Sequence, residues 1–210
     1  MRNVFTLFLV LAMGVMAWGQ TTIHVGDLLC TDSTFVSASQ FPTSGKTAKG
    51  VVFYVDNTGQ HGYACALQDL PERYSWTTGS SPDIAAISNK SDALAAMDDF
   101  AGQANTDAII AYDSTKVNTA AFKAKAYGEG WFLPSIGQLR ILYTFHALLE
   151  PTFTMLYAEG VESQMMTGDK YWSSSETMSP SYAYYVGSNG AISNSVKATS
   201  YYYVRPICAF

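Results

Sequence analysis

The C-terminal part of the chain, residues 171–204, most restricts the possible fold. It contains seven of the fourteen tyrosines and nine serines, but only two charged residues, Glu176 and Lys197. Three runs of β-forming residues alternate here with Gly, Asn and Ser, at residues 183–186, 191–196 and 201–207. Short β-forming runs with turn residues between them are typical of hairpins. We therefore predict an antiparallel meander in this part of the chain.

An earlier hairpin is predicted from the same kind of pattern. Residues 50–55 and 63–67 are rich in β-forming residues, and the segment between them is crowded with turn formers. Asp56, Asn57 and Gly59 in that segment have some features of a calcium loop. The later carboxylates and the closing Glu of such a loop are missing, so we interpret the segment as a turn.

Helical patterns mark the middle of the chain. We predict one helix capped by Ser91 and a second, short helix over residues 120–127. The first helix should have an apolar face and an acidic polar side. The apolar face would consist of Leu94, Met97 and Phe100, and the polar side of Asp92, Asp98 and Asp99.

The clearest helix signal follows Pro134. Ser135 and Gln138 have the spacing of a capping box. Four apolar residues then mark one face of the helix: Leu139, Leu142, Phe145 and Leu149. Residues 130–134 are predicted to lead in as a short buried strand. Strands, then helices, then strands favour an α+β fold with antiparallel sheets.

The first nineteen residues have the composition of a signal peptide. Arg2 precedes the apolar run 4–16, and the small residues Ala17 and Gly19 suit cleavage before Gln20. The alternative is a buried N-terminal strand or helix. We predict an exported protein, extracellular or at the cell surface, without a later membrane span. A polar segment over residues 20–49 would precede a domain over residues 50–210.

Charge and cysteine content exclude several classes of function. A net charge of −5 and the absence of any basic run argue against a nucleic-acid partner. Cys30, Cys65 and Cys208 allow at most one intramolecular disulfide, and Cys65 and Cys208 could instead be small buried residues. Their wide spacing is not a zinc signature, and His146 lacks a second ligand at metal-binding spacing. We expect no metal and no cofactor.

Four segments resemble a known family. GWFLPSIGQL, YWSSSE, AYYV and YYYVRPICAF are similar to the Fibrobacter succinogenes major paralogous domain and to the related C-terminal domain of Legionella collagen-like adhesin. VGDLLCTDSTFVS and the following hairpin also resemble the N-terminal part of such proteins. The resemblance covers residues 25–210 and is densest in residues 130–139 and 171–210.

This resemblance implies a C-type-lectin-like fold, with two main helices flanking small antiparallel sheets and the chain ends close together. Seven residues would then form the scaffold: Trp131, Leu133, Pro134, Trp172, Val204, Arg205 and Pro206. In retroelement-diversified variable proteins of this fold, the segment matching WSSS to VRP carries the ligand contacts. Such contacts are rich in Asn, Ser and Tyr, as residues 179–203 are here.

Enzymatic readings find little support in the sequence. Catalytic motifs such as GxSxG, HExxH and the P-loop are absent. Formylglycine-generating enzymes of the implied fold use a reactive cysteine pair, whereas Cys208 stands alone near the end of this chain. Calcium-dependent lectin tripeptides are also absent. Glu150-Pro151-Thr152 comes near to one, and we interpret it as a helix end followed by proline.

Tyrosine and serine together suit a recognition surface. Tyrosine supplies a large contact area with few torsions to freeze, and small polar neighbours supply adaptable hydrogen bonds. We predict that ten residues form exposed contacts to a protein or carbohydrate ligand on another cell or surface: Tyr182, Tyr184, Ser188, Asn189, Ser193, Asn194, Ser195, Ser200, Tyr201 and Tyr202. The alternative for each tyrosine is packing on the core.

The sequence thus favours a secreted or surface-displayed, non-catalytic ligand-binding domain. A structural subunit of a fimbrial or surface assembly is the alternative, in which the same tyrosines make subunit contacts. A relative of the formylglycine-generating enzymes is the least favoured interpretation.

Overall fold

A computed structural model describes residues 22–79, 82–112, 114–166 and 169–210. Within these residues the fold is mixed α/β, with four helices and eleven short strands in three antiparallel sheets. The signal peptide predicted at residues 1–19 lies outside the described residues. No helix in the described ranges is long and apolar enough to cross a bilayer.

The largest sheet has six strands and joins the two ends of the described chain. Its spatial order is β2-β1-β3-β4-β11-β6, and every neighbouring pair is antiparallel. The strands are β1 (Leu28–Cys30), β2 (Phe35–Val36), β3 (Ala48–Val55), β4 (Gly62–Ala66), β6 (Trp131–Phe132) and β11 (Ile207–Ala209). The boundary predicted between residues 49 and 50 falls inside β3. The polar segment before it supplies β1 and β2 to the same sheet.

Two smaller sheets hold most of the tyrosine-rich segment. One has the order β7-β8-β9, and the other pairs β10 with β5. These strands are β5 (Tyr74–Ser75), β7 (Tyr171–Glu176), β8 (Tyr182–Val186), β9 (Ile192–Val196) and β10 (Tyr201–Tyr202). The meander is therefore real but differs from the prediction. Its third strand is β7, while residues 201–207 leave it to pair first with β5 and then, as β11, with β4 and β6.

Four helices connect the sheets. They are α1 (Ala93–Ala96), α2 (Gly102–Tyr112), α3 (Ala120–Ala126) and α4 (Ile136–Ala158). The capping box of Ser135 and Gln138 at the start of α4 is present, as predicted. Gly102 lies where a side chain would collide with the Gln138 carboxamide, because its Cβ would be 2.1 Å from that oxygen. The first turn of α2 can therefore pack directly on the start of α4.

The main core lies between α4 and the sheets. Leu139, Leu142 and Leu149 of α4 are buried against residues of β3 and β8. Phe145, predicted for the same face, is instead 41% exposed, because the turn that carries it projects toward solvent together with Leu148. Pro151 does not end the helix, which continues to Ala158. A proline removes its own backbone donor and crowds the carbonyl four residues earlier, which here belongs to the exposed Ala147.

The predicted helix near Ser91 is only partly right. Asp92 caps α1, since its carboxylate accepts from the backbone N–H of Ala95 at 2.9 Å. α1 ends after one turn, so the helical spacing that put Phe100 inside does not apply, and Phe100 is 46% exposed. Leu94, also assigned to the apolar face, is exposed. Asp99, assigned to the polar side, is buried.

The three cysteines are buried and free. Burial raises the pKa of the Cys65 thiol to about 11 and that of Cys208 to about 12. Thiols with such high pKa values are protonated at neutral pH and are poor nucleophiles. They act as the small buried residues considered from the sequence, in the middle of the large sheet.

Candidate functional site

The serines of the WSSSE segment are structural. Ser173 donates to the backbone carbonyl of Tyr184 at 2.8 Å, which ties β7 to β8. The Ser175 hydroxyl donates to Asp99 Oδ2 at 2.6 Å and accepts from the backbone N–H of Ile136 at 2.9 Å. It therefore satisfies a free donor at the start of α4 and a buried carboxylate. All three serines of β7 are fully buried.

The two charged residues of the tyrosine-rich segment pair with each other inside the protein. Lys197 Nζ contacts Glu176 Oε1, and both side chains are almost completely buried. The same ammonium donates to the Pro82 carbonyl at 2.8 Å and lies 4.6 Å from the centre of the Trp76 ring. Burial raises the pKa of Glu176 and lowers that of Lys197. The outer surface of the segment is left neutral as a result.

Tyr184 is the one predicted contact residue that the structure places in the core. Only 2% of it is exposed, and its hydroxyl donates to the Lys90 carbonyl at 3.2 Å. α4 covers this face of β8, so the alternation of the strand points Tyr184 inward together with Val186. The assignment of Tyr184 to an exposed surface is therefore wrong.

The other nine predicted residues reach the surface to different degrees. Six are exposed: Tyr182, Ser188, Asn189, Ser193, Asn194 and Tyr201. Ser195, Ser200 and Tyr202 are half-buried. They do not form one continuous surface, because β8 and β9 distribute them over two opposite faces and a hairpin tip.

The first face carries an aromatic cluster. The rings of Tyr185 and Tyr202 are 4.9 Å apart, and Tyr202 lies 4.6 Å from the buried ring of Trp172. The exposed ammonium of Lys170 lies 5.2 Å from the Tyr185 ring and 5.1 Å from the Tyr202 ring. The nearby Tyr202 and Tyr185 hydroxyls raise the pKa of Lys170, so this cation stays charged at neutral pH.

A chain of hydroxyls extends this cluster across β9. Tyr202 Oη donates to Ser195 Oγ at 2.9 Å, and Ser195 Oγ lies 2.8 Å from Ser200 Oγ. We refer to Lys170, Tyr185, Ser195, Ser200 and Tyr202 as the aromatic surface. Sequence reasoning missed Lys170 and did not include Tyr185 among the predicted contact residues. The alternation of β8 does point Tyr185 away from Tyr184, but only the position of β10 shows that the ring remains half-exposed.

The opposite face of strands β8 and β9 borders an open groove of about 550 Å³ next to α1. Tyr182 and Asn194 line it from the sheet, and Asp92 and Met178 line it from the facing loops. At the hairpin tip, the Tyr143 hydroxyl of α4 donates to the carbonyl of Ser188, and Asn189 Oδ1 accepts from the Ala191 N–H at 3.0 Å. The exposed hairpin is thus held firmly at its tip by α4.

No charged cluster suited to a metal accompanies these surfaces. In the ranges that the structure describes, no three His, Cys, Asp or Glu side chains come together as a potential metal site.

Arg73 forms an ion pair with Asp169 at 2.6 Å and stacks on Tyr203, with its guanidinium carbon 4.5 Å from the ring centre. This stacking packs the guanidinium of Arg73 against Tyr203, directly after β10.

Comparisons with known proteins show a similarity of fold. No protein-family model matches the chain, and no curated protein matches it. The fold is similar to that of a fimbrial protein from Bacteroides ovatus ATCC 8483 in a crystal structure at 1.85 Å resolution, with a TM-score of 0.63 and 18% sequence identity. The similarity covers 90% of this chain but 49% of the fimbrial protein, so the chain spans about half of that protein's length. Almost the whole chain therefore shares its fold with part of a fimbrial protein.

Proposed function

We propose that this chain is an exported, non-catalytic module of a fimbrial or related surface assembly. The observation that carries this proposal is the shared fold with part of a fimbrial protein, over 90% of the chain. The composition of residues 1–19 supports export, because a short apolar run after a basic residue and before small residues is typical of a signal peptide.

The proposal includes a C-type-lectin-like fold, as the resemblance to the Fibrobacter succinogenes major paralogous domain implies. Two features support it. The seven residues expected to form the scaffold are all buried: Trp131, Leu133, Pro134, Trp172, Val204, Arg205 and Pro206. Strands β1 and β11, from the two ends of the described chain, also lie in one sheet.

Surface display can be tested on cells that express the chain. Filaments sheared from the cell surface would be separated from membranes and cytosol and probed with an antibody against residues 22–210. We expect the chain to sediment with the filaments, with a mature N-terminus near Gln20. Recovery only from the cytosol, with residues 1–19 still attached, would contradict the proposal.

Ligand recognition is a second candidate function, and the aromatic surface favours it. Tyr185 and Tyr202 present ring edges and faces beside Lys170, and the neighbouring serine hydroxyls can exchange hydrogen bonds with a ligand. Such a surface can hold a sugar ring or a protein loop without a metal. Lys170 is the one charged residue of the five that form this surface, which limits the desolvation cost of binding.

A binding screen with matched variants tests this second function. We expect the double variant Tyr185→Ala/Tyr202→Ala to lose at least tenfold in affinity for any glycan or protein that the chain binds on an array. Tyr157→Ala is the control, because Tyr157 is 76% exposed on α4, away from these strands. Equal binding by the double variant and the wild type would exclude the aromatic surface as the binding site.

A further inference from the structure

Strand β9 leaves one edge of its sheet open. The order β7-β8-β9 gives β9 a partner on one side only. Gly187 N–H donates to the Ala191 carbonyl and Lys197 N–H to the Ser181 carbonyl, so alternate residues of β9 face β8. The backbone groups of Ile192, Asn194 and Val196 therefore point outward.

These outward groups are almost unused. Among the described residues, the one backbone hydrogen bond outside the β8–β9 ladder that reaches them runs from the Ser200 N–H to the Val196 carbonyl, at 3.2 Å. Asn194 at the middle of the edge is exposed, and so is the neighbouring Ser193. An extended segment could add to the sheet here through backbone hydrogen bonds.

The edge also lacks the features that usually prevent such pairing. Natural edge strands are commonly protected by lysine, proline, a bulge or very short length. β9 has five residues, Ile-Ser-Asn-Ser-Val, with no charge and no proline, and its register with β8 has no shift. By contrast, the edge strands of the large sheet, β2 and β6, have two residues each. At the other edge of the same sheet, the Trp172 and Ser174 N–H groups of β7 donate to the Tyr203 and Pro134 carbonyls. β9 is thus the edge best suited to pairing among the described strands.

The sequence of β9 is nearly symmetric about Asn194, and this symmetry points to the partner. Ser193 matches Ser195, and Ile192 matches Val196. When two copies of a strand pair antiparallel about a central residue, each residue meets its symmetric counterpart. Asn194 would then face Asn194 of the second copy, and Ile192 would face Val196, which are the residues with outward backbone groups. Like charges opposing each other would destabilise such a pair, but β9 carries none.

We propose that two copies of this chain associate through β9 in an isologous antiparallel pair. The two small sheets would then form one continuous sheet in the order β7-β8-β9-β9-β8-β7. Residues directly opposite in a sheet point to the same side, so both aromatic surfaces would face one direction, with the two Tyr185 positions roughly 15 Å apart. Tyr182, 37% exposed beside Val196, would extend the contact beyond the backbone.

This inference goes beyond the proposed function, because it rests on β9 alone and would hold for a protein in any compartment. A pair of five-residue strands with flanking side chains gives an interface at the small end of the specific range. The dimer should therefore dissociate on dilution. Two aromatic surfaces on one side would let a dimer bind a repetitive ligand with higher avidity than a monomer.

Sedimentation velocity over a concentration series of the purified protein tests the proposal. We expect the wild type to dimerise with increasing concentration, and Asn194→Lys to raise the dimer dissociation constant at least tenfold, since two lysines would then oppose each other. Ser188→Lys is the matched control, because it adds the same charge at the exposed hairpin tip. Circular dichroism and thermal unfolding would verify that both variants fold.

Disulfide trapping provides a second readout. Cα atoms of a hydrogen-bonded antiparallel pair lie about 5.5 Å apart, within the range that a disulfide spans. We expect Asn194→Cys to form a covalent dimer on mild oxidation, and Ser188→Cys to form much less. A wild type that stays monomeric, equal dissociation constants for Asn194→Lys and Ser188→Lys, or equal cross-linking of the two cysteine variants would each overturn the proposal. None of these outcomes depends on where the protein is located in the cell.

Discussion

Strands β7 and β9 use nearly the same residue types for opposite purposes. The serines of β7 are fully buried, and Ser173 and Ser175 bind the backbone of β8, the start of α4 and Asp99. In β9, Ser193 is exposed and Ser195 belongs to a chain of surface hydroxyls. The difference lies in the neighbours, because the outward N–H groups of Trp172 and Ser174 in β7 donate to other segments, whereas the outer edge of β9 is open. Residue type alone therefore does not show which serines are available for contact.

The charged residues of this segment show the same contrast between residue type and burial. From their residue type, Glu176 and Lys197 would be expected at the surface. In the structure they form a buried ion pair between β7 and the residue that follows β9. With both charges inside, residues 171–204 present no charged side chain at their surface. Substitutions of the buried residues in this segment should therefore lower the stability of the protein. Substitutions of its exposed residues should instead change association or ligand binding.

The largest effect is expected from Lys197→Met. It leaves Glu176 buried without its partner, and breaking a buried ion pair in this way costs about 3–5 kcal/mol. Chemical unfolding would measure the change in free energy. Lys170→Met is the control, because Lys170 is exposed, and it should change stability by less than about 0.5 kcal/mol. Similar losses in both variants would mean that the internal pair has no special role.

The pH dependence of the Lys197→Met variant sharpens this prediction. Burial raises the pKa of Glu176 above its usual value, and loss of the lysine should raise it further. A carboxyl with a raised pKa in the folded state binds more protons when folded, so stability falls as pH rises through that pKa. The stability loss of Lys197→Met relative to wild type should therefore be smaller at pH 5 than at pH 7. A loss that grows on acidification would contradict a buried, unpaired Glu176.

A smaller effect should separate two tyrosines on the same face of β8. Tyr184→Ala removes a ring that is 2% exposed and should destabilise the protein by about 3 kcal/mol. Tyr182→Ala removes a ring that is 37% exposed and should cost less than about 1 kcal/mol. Thermal and chemical unfolding of both variants would measure the difference. If the two costs were equal, the assignment of Tyr184 to the core would be wrong.

The smallest contrast is between two serines. Ser175→Ala leaves the buried Ile136 N–H without its partner and removes one of the hydrogen bonds to the Asp99 carboxylate, which should cost about 1–3 kcal/mol. Ser193→Ala makes the same chemical change on the exposed strand and should stay within about 0.5 kcal/mol of the wild type. The same unfolding measurements apply to both. A cost for Ser193→Ala that matches Ser175→Ala would remove the distinction between the two strands.

Local patterns predicted much of this fold. The hairpin of β3 and β4, the short strand β6, helix α3 and the capping box of α4 all follow from residues close in sequence. α2 was missed because its polar residues Asn105 and Thr106 are buried, where they bind Asp99 and the Leu133 carbonyl, and its apolar pattern is weak. That burial depends on contacts with distant segments, which no local pattern contains.

The candidate site was predicted less well, for a related reason. Alternation along a strand indicates the outer face only when one face is solvated. β8 is covered by α4 on one face and partly by Trp172 and Tyr202 on the other, so the pattern could not separate Tyr184 from Tyr185. The exposure of Ser193 and Asn194 was predicted correctly, because these residues belong to a strand that forms an edge.

Residue-resolved amide hydrogen exchange of the dilute protein tests the contrast between β7 and β9 most directly. In β7, the N–H groups of Trp172 and Ser174 donate to Tyr203 and Pro134 carbonyls at 3.0 and 2.8 Å, and should be strongly protected. In β9, the outward N–H groups of Ile192 and Asn194 should exchange close to the rate of an unstructured chain. Protection of Ile192 and Asn194 equal to that of Ser174 would show that β9 is covered, and would contradict an open edge.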